Sequence, residues 1–260
     1  MSEHAVLLEI TAGIATITLN RPRSLNSINQ EMADELTGCL RAVKEDTTVQ
    51  AVVLTGSGKA FCAGGDLSHL ENLTNVIEAR KFIAQVGEFV TTIMDMDKPV
   101  IAMVNGVAAG AGFNLALACD IVFCSRSARF AQSFAKVGLI PDCGGMYLLP
   151  RIVGLHKAKE LMFTADLIDS ATALHMGLVN RIIEDEQLTE AAYEFARKLT
   201  GAAPLAIGLM KRTLNRYDSL NLQNLLELEA DMQTFCLQTE DHKEGVQAFK
   251  EKRKPVFKAK

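Results

Sequence analysis

Two short glycine-rich stretches and one isolated carboxylate hold the residue types that could do chemistry in this sequence. The first stretch is Phe61-Cys62-Ala63-Gly64-Gly65-Asp66 and the second is Gly106-Val107-Ala108-Ala109-Gly110-Ala111-Gly112. Small residues let a ligand come close to the backbone. Each stretch precedes a predicted helix, so free N–H groups and the positive ends of helix dipoles can face one spot. Two converging N–H donors are what an oxyanion hole requires. The competing reading is structural, because Gly/Ala-rich turns ahead of helices also serve close packing. The carboxylate is Asp142, in Ile140-Pro141-Asp142-Cys143-Gly144-Gly145, flanked by Val137, Leu139, Met146, Leu148 and Leu149. In apolar surroundings a carboxyl has a raised pKa and makes a usable base near neutral pH. The alternative is that Asp142 caps the helix that follows.

Other chemistries lack their residues. There is no GxxxxGK[ST], and no GxGxxG opening a helix with an acidic partner beyond the next strand. There is no GxSxG, and no Ser or Cys has an obvious His partner. The five histidines (His4, His69, His156, His175, His242) are scattered, so no metal site is expected. The six cysteines show no CxxC spacing and read as reduced, mostly buried thiols of a cytoplasmic protein. A formal net charge of -4 argues against a nucleic-acid partner. The basic run Lys250, Lys252, Arg253, Lys254, Lys258, Lys260 reads either as a solvated helix end or as a patch for a phosphorylated ligand. Segment 1–13 has no apolar signal core, and Lys98, Asn105 and Asp120 interrupt the most apolar region. No signal peptide, no membrane association and a cytoplasmic location are therefore expected.

The elements that must position these residues follow from periodicity. With 260 residues, 48% of them apolar, the chain can bury a full core. Strands are predicted over 6–10 and 14–19, turning at Gly13. Asn29 can cap a helix whose apolar positions Met32, Leu36, Leu40 and Val43 recur at helical spacing. A buried strand at 51–54 completes a strand–helix–strand crossover with parallel pairing. Segment 55–65 reads as a loop, and a helix is expected over about 76–96, ended by Lys98-Pro99. Strands follow at 100–104, 121–124 and 179–183, with a helix near 113–118. Apolar residues then recur at helical spacing through 191–199, 205–214 and 222–249. The result is an α/β core over 1–200 and a helical region over 201–260.

In this order, the segments resemble the crotonase (enoyl-CoA hydratase/isomerase) superfamily over nearly the whole chain. The match runs from Ile17-Thr18-Leu19-Asn20-Arg21-Pro22 through Leu54-Thr55-Gly56, the two glycine-rich turns, Lys98-Pro99-Val100-Ile101-Ala102 and Cys119-Asp120-Ile121. It closes with Glu244-Gly245-Val246-Gln247-Ala248-Phe249 and Lys252-Arg253-Lys254-Pro255-Val256-Phe257. The resemblance implies a superhelix of ββα turns with a C-terminal helical trimerisation region. It implies a homotrimer or dimer of trimers, and a coenzyme A thioester as substrate, with no separate cofactor. The two N–H groups that hold the thioester oxygen would come from Gly65 and Ala111. The adenine and pantetheine would lie along Arg23 to Leu25 and along Ala63, Gly64 and Asp66.

Hydratases of this family carry two glutamates that handle a water molecule, and those positions are Asn114 and Phe134 here. Neither can act as a base. Moving a double bond needs only one base and the oxyanion hole. The run from Gln132-Ser133-Phe134 to Asp142-Cys143-Gly144-Gly145 is similar to that of phenylacetate-pathway isomerases that act on ring-epoxide phenylacetyl-CoA. Asp142 is thus expected to shuttle the proton. Asn114 would bond substrate or order a water, or else fill space, and Phe134 would form an apolar wall or pack as ordinary core. Asp66 is expected to cap a helix or support its loop, Asp120 to be structural, and His69 to sit at the surface. The alternatives are a hydratase that uses Asp142 and Asn114 around a water, and a silent acyl-CoA- or RNA-binding member.

Overall fold

The structure, a computed structural model, describes residues 4–260; the first three positions of segment 1–13, read above for a signal peptide, lie outside it. Strands β1 (Val6–Thr11) and β2 (Ile14–Leu19) form an antiparallel hairpin. Asn29 caps α1 (Gln30–Glu45), its side-chain oxygen accepting from the Met32 amide, and Met32, Leu36, Leu40 and Val43 are buried as the spacing predicts. The helix returns the chain to β3 (Ala51–Gly56), which pairs parallel with β2 and is buried at every position. A strand buried on both faces needs no alternation, which is why its sequence is continuously apolar.

A repeating unit then begins. β3 passes into the short β4 (Ala60–Cys62) and the helices α2 (Leu67–Asn72) and α3 (Val76–Asp95). Next come β5 (Val100–Val104), β6 (Val107–Ala109) and α4 (Ala111–Ala118). The third unit is β7 (Ile121–Ser125), β8 (Arg129–Ala131), a 3-10 turn (Ser133–Val137), α5 (Gly145–Val153) and α6 (Leu155–Thr164). β9 (Ile168–Asp169), α7 (Ser170–His175) and β10 (Arg181–Ile183) follow. Four helices end the chain: α8 (Leu188–Thr200), α9 (Pro204–Leu214), α10 (Leu222–Gln238) and α11 (Glu240–Glu251).

The long strands make a six-stranded sheet in the order β1-β2-β3-β5-β7-β10, and the short ones a four-stranded sheet, β4-β6-β8-β9. Each unit thus steps from the first sheet to the second and then into a helix, giving the α/β superhelix of ββα turns. One face of the large sheet packs a core that includes Phe61, Phe89, Phe113 and Phe130. The other is covered by Leu188, Ala192 and Ala196 of α8 against Val53, Ile101 and Phe123.

Several expectations need correction. Segment 55–65 is not all loop, since it contains the end of β3 and all of β4. β6, β8 and β9 were equally unreadable: a strand of two or three residues is too short to show a period. The helical run over 222–249 breaks at Thr239, whose Oγ1 accepts from the His242 amide at 3.0 Å and starts α11.

Asp120 has the structural role expected of it. Its Oδ2 accepts from the Val100 amide at 2.7 Å and pairs with Lys211 Nζ at 2.7 Å. Lys211 also donates to the Lys98 carbonyl at 2.9 Å. Burial pushes the Asp120 carboxyl up, and Lys211 works against it. The pair fastens α9 to the start of β5. All six cysteines are free, and burial raises the thiol pKa of Cys62, Cys119, Cys124 and Cys143. No helix among the described residues is long and apolar enough to cross a membrane.

Candidate active site

The two glycine-rich turns touch. Gly64 has φ +100°, and a β-carbon there would stand 2.9 Å from the Ala109 carbonyl oxygen and 3.5 Å from the Ala111 nitrogen. Only glycine allows both the backbone shape and the approach. The chain at Gly65 bridges to Ile28: the Ile28 amide donates to Gly64 O at 2.8 Å and the Asp66 amide to Ile28 O at 2.9 Å. That pattern skips the Gly65 N–H, which has no acceptor among the described residues. Ala111 is the first residue of α4, so its N–H has no partner within the helix. Two free donors therefore stand on adjoining turns, one of them at a helix N-terminus.

Asp66 braces the first turn. Its carboxylate caps α2 by accepting from the His69 amide at 3.3 Å and pairs with Arg21 at 2.9 Å, with Ser27 Oγ at 3.3 Å. Desolvation pushes this carboxyl up, but the bonds from Arg21, His69 and Ser27 outweigh it and leave the pKa below the ordinary range. His69 is half-buried rather than on the surface, with its ring edge-on to Phe82 at 4.6 Å.

Both turns open on a cavity of about 220 Å³. Ile28, Phe82, Val86, Phe134 and Leu139 supply apolar wall. Asp142 is the one carboxylate among the lining residues, and it is not a cap: the cap position of α5 is Gly144, with no side-chain bond. Asp142 Oδ1 is buried without a hydrogen-bond partner. Burial pushes its pKa up to about 6. The mechanism is the one that makes buried carboxyls into bases: desolvation penalises the charged form, and a backbone hydrogen bond offsets it only in part.

Gly65, Ala111, Asp142, Ala63, Gly64 and Phe134 all meet at this cavity. Arg23 and Leu25 do not line it. They sit exposed on the neighbouring turn, where the Leu25 carbonyl accepts from the Ala63 amide at 3.0 Å. Asp66 is likewise outside, engaged as brace. The expectation that Asn114 bonds substrate is corrected. Its side chain is fully buried and both ends are occupied, Nδ2 donating to the Asp142 carbonyl at 2.8 Å and Oδ1 accepting from Gln132 Nε2 at 2.6 Å. Sequence reading missed the Ile28, Phe82 and Val86 walls, which look like ordinary core residues. Gln132 likewise carries no chemical signal in the sequence, and only the fold brings it onto Asn114. In the C-terminal basic run, Arg253 is held by Glu244 and Glu251 and pulls the Glu244 pKa down to about 2, as in a solvated, self-paired helix end.

Comparison with known proteins puts the chain that builds this crevice in the crotonase superfamily. Residues 9–260 match the Enoyl-CoA hydratase/isomerase family, and the chain belongs to it as an enzyme. It is similar to the 1,2-epoxyphenylacetyl-CoA isomerase of Escherichia coli (strain K12), at 40% identity over 259 residues and 98% of each chain. It is also similar to the short-chain-enoyl-CoA hydratase of Clostridium acetobutylicum, at 39% identity over 255 residues, 98% of this chain and 97% of the other. The crystal structure of the enoyl-CoA hydratase from Bacillus anthracis superposes with a TM-score of 0.95 at 34% identity, covering 98% of this chain and 100% of that one. Isomerase and hydratase names thus both occur at this level of identity.

Proposed function

We propose that the protein is an acyl-CoA isomerase that works through a thioester enolate, with Asp142 as its one proton shuttle. The observation that carries this reading is the lone buried carboxyl with a pKa of about 6 in a cavity edged by two unpaired N–H groups. The thioester oxygen would accept from Gly65 and Ala111. Asp142 takes a proton from C2 of a 3-enoyl thioester, and the electron pair runs onto that oxygen as an enolate. Return of the proton at C4 leaves the double bond between C2 and C3. Net composition is unchanged, and no separate cofactor is needed. A ring-epoxide phenylacetyl-CoA is a second substrate of the same class. Apolar walls suit either acyl group. The coenzyme A part would run outward past Ala63 and Gly64 towards Arg23 and Leu25.

Water addition is disfavoured by two positions. Phe134 is apolar, and Asn114 is fully buried behind the cavity wall, with its amide turned to the Asp142 carbonyl and Gln132. The test is product analysis with 3-hexenoyl-CoA and with 2-hexenoyl-CoA in separate incubations. The isomerase reading expects the 2-enoyl thioester from the first. A 3-hydroxyacyl thioester as the main product of the second would replace it with the hydratase. We also propose that the chain assembles as a homotrimer or dimer of trimers through its C-terminal helices; their exposed apolar side chains, Leu222, Phe235 and Phe249 among them, support this.

A further inference from the structure

We infer that Asn114 and Gln132 form a positioning relay that sets the aim of Asp142. The inference rests on the reading of Asp142 as the proton shuttle. Asn114, on α4, is fully buried, and Gln132, just before the 3-10 turn, is 1% exposed. Gln132 Nε2 donates to Asn114 Oδ1 at 2.6 Å, which turns the Asn114 amide so that its Nδ2 donates to the Asp142 carbonyl at 2.8 Å. Two buried amides are thus committed to one backbone oxygen. Gln132 Oε1 is left buried without a partner, so the pair is not there to satisfy itself. A residue kept only to fill that space would be apolar, since a buried unpaired amide oxygen costs free energy.

The turn needs this support. Cys143, next to Asp142, has φ +46°, a left-handed conformation that disfavours any residue with a β-carbon. The Asp142 carbonyl is also held by the Gly145 amide at 2.9 Å. The two donors together fix the peptide plane beside the Asp142 α-carbon. No neighbouring side chain bonds the carboxylate itself, so its direction comes from the backbone. Gly145 fits the same picture, because a β-carbon there would overlap Asn114 Nδ2 at 2.3 Å. Asn is required at 114 in this role, since a carboxylate has no proton to offer a carbonyl.

The experiment compares Asn114→Leu, Gln132→Met, the double variant and Asp142→Asn in conversion of 3-hexenoyl-CoA, with kcat, KM and the pH profile measured for each. The relay predicts that each single amide variant loses about 10- to 100-fold in kcat with KM within about twofold, since a misaimed base slows chemistry and not binding. The double variant should be no slower than Asn114→Leu, because both changes break one chain of bonds. A loosened turn admits water, so the acid limb of the profile should move below its wild-type position. Gln132→Met nearly conserves volume and keeps the comparison available if Asn114→Leu fails to fold. Wild-type kcat and pH profile in the amide variants, with Asp142→Asn inactive, would overturn the relay and leave the shuttle standing. Lowered thermal stability with unchanged kcat, or additive losses in the double variant, would also overturn it. Full activity in Asp142→Asn would remove the shuttle and the relay together.

Discussion

A carboxyl with a pKa of about 6 meets two opposing demands at Asp142. It must be ionised at neutral pH, and it must hold a proton well enough to return it. Burial meets both, and the enzyme's acid limb should report it: kcat/KM falls about tenfold per pH unit below pH 6, as the base is lost. The same burial costs stability. The unfolded chain ionises this group near 3.8 and the folded one near 6. Between those values the folded state holds a proton that the unfolded chain has lost, so stability falls as pH rises through the window and stays reduced above it. Asp142→Asn should therefore unfold with up to about 3 kcal/mol more free energy than wild type at pH 8, and with no gain below about pH 4. Urea unfolding at both pH values checks this; a gain independent of pH would contradict the burial of the charge. At the oxyanion hole, Ala111 occupies the first position of α4, where proline is tolerated but brings no N–H. Ala111→Pro should cost about 100- to 1000-fold in kcat while circular dichroism stays unchanged.

The elements around these residues differ in how far the sequence announces them. α1 is legible end to end, because Asn29 caps it and its four buried positions keep one face. The central strands are legible because full burial makes them continuously apolar. β4, β6 and β8 are not, since three residues carry no period, yet these strands bring Gly65 and Ala111 side by side. The site was legible in part for the same reason. Glycine runs and one odd carboxylate stand out against an apolar background, but it is the family resemblance that singles out Gly65 and Ala111 as donors and Asp142 as shuttle. Asn114 was placed on the substrate because its partners, Gln132 and the Asp142 carbonyl, are 18 and 28 positions away and invisible to spacing. Lys211 shows the same limit on the structural side, joining α9 to Asp120 and Lys98 across the chain. Lys211→Met leaves the Asp120 charge buried without its partner and should cost about 3 kcal/mol, seen as a lowered urea midpoint.

Over the whole molecule, the core closes on itself while the C-terminal helices do not. α10 has no buried residue, and Phe249 is 85% exposed. A cavity of about 770 Å³ lies between these helices and the core, lined by Pro99, Leu205, Leu209, Met232 and Phe235 among others. Apolar surface on this scale is uncommon in a chain that works alone. Light scattering should give three or six times the chain mass of 28.3 kDa; a single-chain mass would contradict the proposed assembly. The chemistry itself is tested most directly by one comparison. Wild type and Asp142→Asn are given 3-hexenoyl-CoA at pH 8, and formation of the 2-enoyl thioester is followed. Rapid conversion by wild type, slowed about 100- to 10,000-fold in the variant with substrate binding retained, is the result a single carboxylate shuttle predicts. Equal rates in the two proteins would contradict it.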